Sequence, residues 1–251
     1  MSDSKGKVIV CDLDGTLTKS KSDLEKEMSH KICQVLKNNR FAVISGAGFP
    51  QFQSQFLSQL DFSNELKKNL FIFPTNGSSC YTYDYLTSDW SKLYEENLTE
   101  EEKERVFKAL NKAIESLNMD LKGSYGEIIE DRGGQVTFSG RGQEAPLSVK
   151  ELWDKDKTKR QEMVKILKEE IPEFEIRIGG STSIDITPKG IDKAYAIGKI
   201  LEVLSCSKED IIFIGDALFP GGNDESVKST GVLTISVSGP EETIKIFDNY
   251  I

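Results

Sequence analysis

The sequence predicts an α/β fold, a doubly wound parallel sheet built from both ends of the chain, with an α+β segment inserted between them. Three observations carry that expectation. Short unbroken apolar runs alternate with helical patterns over the first third of the chain. The alternation then gives way to polar and aromatic strands grouped with two helices, and it resumes after Pro188. Continuous apolar runs flanked by helices mark strands covered on both faces, which is the habit of parallel sheets.

In order, residues 8–11 form a strand, 23–37 an amphipathic helix, 41–44 a strand, 50–60 a helix and 70–73 a strand. The stretch GSSCYTYDYLTSDW is polar, aromatic and rich in turn residues. In TEEEKERVFKALNKAIESL, Thr99 is placed as an N-cap with Glu102 three residues on, the pattern of a capping box. GEIIEDRGGQVTFSGRG, a helix around 159–169, and the strand-like EIRIGG and STSIDIT complete the insert. A helix over 193–204, a strand over 211–214, a helix near 224–229, a strand over 232–237 and a helix over 241–247 then close the core. The expected division is 1–81 with 188–251 for the core and 82–187 for the insert. The charged run DKDKTKR is expected as a solvated helix start.

Composition narrows the function. A net charge of −9 argues against nucleic acid or an anionic membrane as partner, while leaving room for a basic pocket that takes a small anion. The 4 cysteines are scattered, without a metal-binding spacing, as reduced thiols would be. The polar MSDSKGK start does not resemble a signal peptide, and no apolar run reaches membrane-spanning length, so a soluble, cytoplasmic protein is expected. His30, the sole histidine, sits in a helical segment among polar neighbours, which leaves histidine catalysis without a candidate.

The ligand edge of a doubly wound sheet lies at the C-terminal ends of its strands. There the sequence places Asp12 and Asp14 after the first strand, Ser45 after the second, Asn76 after the third and Asp216 after a later one. Residues two apart on a strand face the same way, although a turn at Gly15 can re-aim the second carboxylate. Asp12, Asp14 and Asp216 make a hard, all-oxygen group that suits Mg²⁺.

DLDGT resembles the D-x-D-x-T motif of the haloacid dehalogenase (HAD) superfamily of phosphotransferases, and IGDALFPGGND resembles its acidic fourth motif. Lys193 stands in the place of that superfamily's lysine and Ser45 in that of its second-motif Ser/Thr. GGSTSIDITPKGIDKAY and GDALFPGGND are similar to the eukaryotic phosphomannomutase branch. The resemblance implies a Rossmann-like core with a type IIB cap. It also implies roles: Asp12 the nucleophile that becomes an aspartyl-phosphate, Asp14 the general acid and then base, and Ser45 a hydrogen-bond donor to a phosphoryl oxygen. Lys193 would screen charge, and Asp216 would complete the Mg²⁺ site with Asp12 and the main-chain carbonyl of Asp14. Asn223 and Asp224 would support that site.

In the insert, GGQVTFSG alternates strictly, with Gln135, Thr137 and Ser139 on one face and Val136 and Phe138 on the other. Arg132 and Arg141 flank it, and guanidinium groups bind phosphate in a fixed geometry. Ser183 and Asp185 fall on one face of the following strand. The resemblance implies that these arginines, the serine and the aspartate hold a sugar and its distal phosphate; Lys21 is a further candidate contact, and Asn76 is either a contact or a turn former. It also implies a homodimer through the cap. Two departures stand out: Lys21 takes the place of an arginine, and GQEAPLSVKEL lacks the third arginine of the mutases. A mutase must grip a bisphosphate in two orientations. The expectation is therefore a Mg²⁺-dependent phosphatase acting on a small sugar phosphate, with phosphomannomutase as the alternative.

Overall fold

The computed structural model describes residues 6–20, 22–61 and 63–251. Two compact units emerge, one running to Glu95 and resuming at Asp192, the other Glu96–Ile191.

The first unit holds a seven-stranded sheet. Its members are β1 (Val8–Asp12), β2 (Arg40–Ile44), β3 (Leu70–Phe73), β4 (Ser79–Asp84), β5 (Asp89–Glu95), β10 (Ile211–Gly215) and β11 (Leu233–Ser236), in the order β11-β10-β1-β2-β3-β4-β5. The pairs from β11 through β3 are parallel, and β4 and β5 add an antiparallel hairpin at the edge. Every residue of β1 is buried, and alternation divides its apolar side chains between two layers. Ile9 and Cys11 pack with α1 (Lys26–Val35) and with α8 (Pro240–Phe247), through Met28, Ile32 and Phe247. Val8 and Val10 pack with Ile197 and Ile200 of α7 (Lys193–Leu204). A strand sandwiched in this way needs apolar residues at every position, which is why its sequence reads as one continuous run.

Three local expectations change. The helix expected over 50–60 is α2 (Phe49–Gln55) followed by a single 3₁₀ turn, and α3 (Asn64–Lys67) comes after it. The helix expected near 224–229 is a 3₁₀ segment, Glu225–Thr230. The hairpin β4–β5 belongs to the first sheet, so the units part at Glu95, later than residue 81. Its aromatics explain the placement: Tyr81 stacks on Phe49 at 3.6 Å between ring centroids, and Tyr83 meets Trp90 edge to face at 5.6 Å.

The second unit is a four-stranded antiparallel sheet, β6 (Ile129–Asp131), β7 (Val136–Ser139), β8 (Phe174–Gly179) and β9 (Ser183–Pro188), in the order β6-β7-β9-β8. Its apolar face carries Val136, Phe138, Ile176, Ile184 and Ile186. Packed on that face are α4 (Glu100–Ser116) and α6 (Thr158–Glu170), through Val106, Leu110, Met163 and Leu167. Thr99 caps α4 with both halves of the capping box in place. A short helix, α5 (Leu147–Trp153), precedes α6. Among the described residues, no helix is long and apolar enough to cross a membrane.

Candidate active site

In the first unit, Asp12 ends β1 and is 3% exposed. It lies opposite Ile44, the last residue of β2, so the neighbouring strand delivers Ser45 to the same edge. Asp14 has already left the strand and bridges to Thr18. The turn between them depends on Gly15, at φ +87°, where a Cβ would sit 2.4 Å from Oδ2 of Asp216. Only a residue without a side chain lets that carboxylate come so close. Thr16 then fixes Asp216, its Oγ1 accepting from the Asp216 amide at 3.1 Å and donating to Oδ1 at 3.3 Å.

The loop after β10 closes on itself, since Oδ2 of Asp224 accepts from the Ala217 amide at 3.0 Å. That bond returns Asp224, fully buried, to the end of the strand, while its neighbour Asn223 is exposed. Lys193 arrives from another direction. Asp192 caps α7 through the Tyr195 amide at 2.9 Å, which makes Lys193 the first helical residue. Its buried ammonium donates to Oδ1 of Asp12 at 2.6 Å and to Oδ1 of Asp224.

Carboxylate oxygens of Asp12, Asp216 and Asp224 all lie within 4.8 Å of one another. The carboxylate of Asp14 is outside this group, contrary to the expectation from strand alternation, because the turn at Gly15 takes Asp14 out of the strand; Asp224 stands in its place. Burial pushes the Asp12 carboxyl up to about 8, with Asp224 and Asp216 adding to the rise and Lys193 opposing it. Asp216 is likewise raised, by burial first and then by Asp224. Burial works against the Lys193 ammonium, but Asp12 and Asp224 outweigh it and hold the lysine above its ordinary range. One ammonium therefore does not fully offset the carboxylates it faces. A divalent cation fits the remainder: the donors are all hard oxygens, they converge, and their repulsion is what a second positive centre would relieve. Cys11 belongs to the core, its thiol raised by burial, Asp12 and Asp224, and so stays protonated.

Ser45 and Asn76 come together through the backbone. The Asn76 amide donates to the Ser45 carbonyl at 2.9 Å, and Oγ of Ser45 accepts from the Ala47 amide at 3.1 Å. Asn76 adopts φ 54° and ψ 33°, a left-handed turn that asparagine tolerates. Lys21 lies outside the described residues.

In the second unit, Ser183 and Asp185 lie on β9, while Arg132 and Arg141 lie in the loops on either side of β7. Across the polar face of the sheet, Glu130 pairs with Thr137, Thr137 with Asp185, and Asp185 with Arg177. Oγ1 of Thr137 donates to Oδ1 of Asp185 at 2.9 Å and accepts from Nε2 of Gln135 at 2.9 Å. Gln135, Thr137 and Ser139 are buried, so this face is an ordered polar network. Ser183 lies opposite Ser139 and Gly179. Arg132 directs Nε to Oε2 of Glu130 at 2.8 Å, and Nη2 to the same oxygen at 2.7 Å and to Gln143 at 3.4 Å. Arg141, on the loop after β7, reaches the Gly123 carbonyl at 3.4 Å. Glu130, Gln143 and Arg177 escaped the sequence reading. Strand alternation would have put Arg177 on the face of Glu175, but only the register shows that it meets Asp185.

The family model for eukaryotic phosphomannomutases matches residues 28–251. Phosphomannomutase 2 of Dictyostelium discoideum is 27% identical over 264 residues, covering 100% of this chain and 98% of its own. The phosphomannomutase of Saccharomyces cerevisiae is 27% identical over 245 residues, covering 95% and 92%. Among solved structures, a haloacid dehalogenase-like hydrolase from Bacteroides thetaiotaomicron aligns with a TM-score of 0.67 at 18% identity, over 98% of this chain and 100% of that one. The IMP-bound IMP-nucleotidase of Plasmodium falciparum gives 0.71 at 15% identity, over 99% and 68%. At such identities the two structures speak to the fold. The family match opens beyond Asp12 and Asp14, and the Dictyostelium alignment, which spans the whole chain, takes them in. On the strength of the family match and the shared fold, this chain belongs to the eukaryotic phosphomannomutase family of the HAD superfamily of phosphotransferases.

Proposed function

We propose that the chain transfers a phosphoryl group by way of an aspartyl-phosphate on Asp12, between the 1- and 6-positions of a hexose. The observation that carries the chemistry is the buried Lys193 joining Asp12 to Asp224. An attacking carboxylate is thereby kept beside a fixed positive charge, which eases its approach to an anionic phosphate. The relatives' names favour a mutase over the phosphatase that the missing arginine suggested.

Asp12 attacks phosphorus, an Asp12–phosphate bond forms, and the bond to the sugar oxygen breaks. Asp14 gives that oxygen its proton. In the second half, Asp14 takes a proton from the accepting hydroxyl as that oxygen attacks the aspartyl-phosphate. Ser45 hydrogen-bonds a phosphoryl oxygen. Asp12 and Asp216 would hold Mg²⁺, with the Asp14 carbonyl as a third donor, while Asp224, committed to Lys193 and the Ala217 amide, orients the set. The ion supplies Lewis-acid screening of the phosphoryl oxygens. Arg132, Arg141, Ser183 and Asp185 recognise the sugar phosphate.

One observation favours hydrolysis as the second reading. Arg132 already gives two N–H groups to Glu130, and no arginine follows Arg141 until Arg160. A weaker grip on the distal phosphate shortens the life of a bisphosphate in the site and leaves water as acceptor. Phosphorus NMR of the protein with Mg²⁺ and mannose 1-phosphate or glucose 1-phosphate separates the two. Conversion to the 6-phosphate that depends on a trace of hexose 1,6-bisphosphate supports the mutase. Steady release of inorganic phosphate without isomerisation overturns it in favour of the hydrolase.

A further inference from the structure

The two ends of DKDKTKR are not solvated. Asp154 and Arg160 are 4% and 2% exposed and form an ion pair, Nε to Oδ2 at 2.7 Å. Nη2 of Arg160 returns to the Asp154 carbonyl at 3.2 Å, and the Asp154 carboxylate accepts from the amides of Lys159 and Arg160. The guanidinium is thus held from one side. Its remaining arm, Nη1, reaches the carbonyls of Gly179 at 3.1 Å and Gly180 at 2.8 Å.

Gly179 ends β8 and Gly180 opens the turn to β9, which leads straight into Ser183. The turn is tied in its own right to the loop bearing Arg141. Gly140 donates its amide to the Thr182 carbonyl at 3.1 Å, and the hydroxyls of Thr182 and Ser139 lie 3.1 Å apart. Ser139 donates to the Gly142 carbonyl at 3.1 Å, so it is Thr182 that donates to Ser139. The same helix junction also supports the Arg141 loop directly: Trp153 fills the space over Gly140, where a Cβ would lie 2.1 Å from its ring. Burying the guanidinium costs desolvation that only its ion pair and its bonds to three carbonyls offset, so the turn is tied to the geometry that provides them.

We propose that Arg160 is a positioning residue for sugar-phosphate recognition, setting Ser183 and Arg141 in register through the 179–182 turn and Thr182. This rests on the reading of the insert as the sugar-recognising unit. The full-length enzyme with Mg²⁺ is compared as wild type, Thr182→Val and Arg160→Lys. Thr182→Val deletes one hydroxyl and spares the buried ion pair, so it remains informative if Arg160→Lys fails to fold. The expected result is a roughly tenfold higher KM for the hexose phosphate in Thr182→Val, about 1.4 kcal/mol, with kcat within about twofold. Kinetics with p-nitrophenyl phosphate, which offers no sugar, stay as in wild type. Arg160→Lys, which cannot reproduce the fork, moves KM the same way and speeds hydrogen exchange at the Gly140 amide while the amides of α4 stay protected. A lower melting temperature with unchanged KM in both variants overturns the proposal, and so does unchanged exchange at Gly140. A wild-type enzyme without preference for hexose phosphate defeats the sugar reading instead, and the exchange result then decides the positioning role by itself.

Discussion

Replacing Lys193 by Met tests whether the ammonium is what keeps the carboxylates of the site together. Methionine matches the length of the lysine stem, so the packing of the first turn of α7 is conserved and the change is one of charge. Breaking a buried ion pair by removing one partner costs about 3–5 kcal/mol, because the other charge is left uncompensated. Here the ammonium serves both Asp12, at 2.6 Å, and Asp224, so the upper end applies. For a protein of this size 1 kcal/mol moves the melting temperature by about 2–4 °C, which puts the loss at about 10–20 °C. The assay is thermal unfolding in a chelator from pH 8 to pH 5, repeated with excess Mg²⁺. Asp12 and Asp216 are raised above the usual carboxylate range when folded, and the unfolded chain returns them to it. The folded state therefore binds more protons than the unfolded one between about pH 4 and pH 8, and stability rises as the pH falls through that window. Without the ammonium this uptake grows, so the deficit of the variant narrows toward pH 5. Mg²⁺ stabilises both folded proteins and narrows the deficit because the carboxylates freed of the ammonium bind the cation more tightly. A variant that melts within about 2 °C of wild type in chelator, or whose deficit widens as the pH falls, refutes the reasoning.

Asp12→Asn is expected to abolish turnover and the trapped phosphoenzyme seen by mass spectrometry of acid-quenched protein. In chelator at pH 8 it should also melt higher than wild type, since a buried carboxylate has gone, with the gap closing near pH 5. Gly15→Ala places a methyl 2.4 Å from Asp216 Oδ2 at a φ of +87°, and is expected to lower stability by about 1–3 kcal/mol and weaken Mg²⁺ binding in a calorimetric titration. Thr99→Ala removes the capping box of α4; a loss of about 1 kcal/mol in a denaturant titration, with unchanged kcat/KM, is the expected outcome.

The core was legible because its chemistry sits at strand ends. A buried parallel strand announces itself as a run such as VIVC, and whatever polar residue follows it must emerge at the ligand edge. Asp12, Ser45, Asn76 and Asp216 were found that way, each from its own strand. The β4–β5 hairpin was not, since its alternation is blurred by aromatics that pack on both sides and by an edge open to solvent. The segment after Asp224 reads as a helix and folds as 3₁₀ because the two share their first turn, and a short sequence does not distinguish them.

Charge was the harder signal. DKDKTKR has the composition of a solvated helix start, and residues 155–157 do lie exposed. Its ends turn inward where Arg160 meets Asp154 and the carbonyls of Gly179 and Gly180, partners that tertiary structure supplies and the local sequence does not announce. Arg132 teaches the same lesson in reverse: the sequence showed an arginine suited to phosphate, and the fold set Glu130 against it. Both cases bear on the mutase question, because the roles proposed for Asp12, Lys193 and Asp216 are the same in hydrolysis and in transfer. What separates water from a hexose as acceptor is how long the insert retains a bisphosphate. The outcome therefore turns on the strength of the Arg132–Glu130 pair against a phosphate dianion. A phosphate carries more charge than the carboxylate and offers more acceptor oxygens, so it can displace Glu130 from the guanidinium when the distal group arrives. On the proposed reading, the pair would hold Arg132 in place until the phosphate took it over, and the missing third arginine would lower affinity without forbidding transfer.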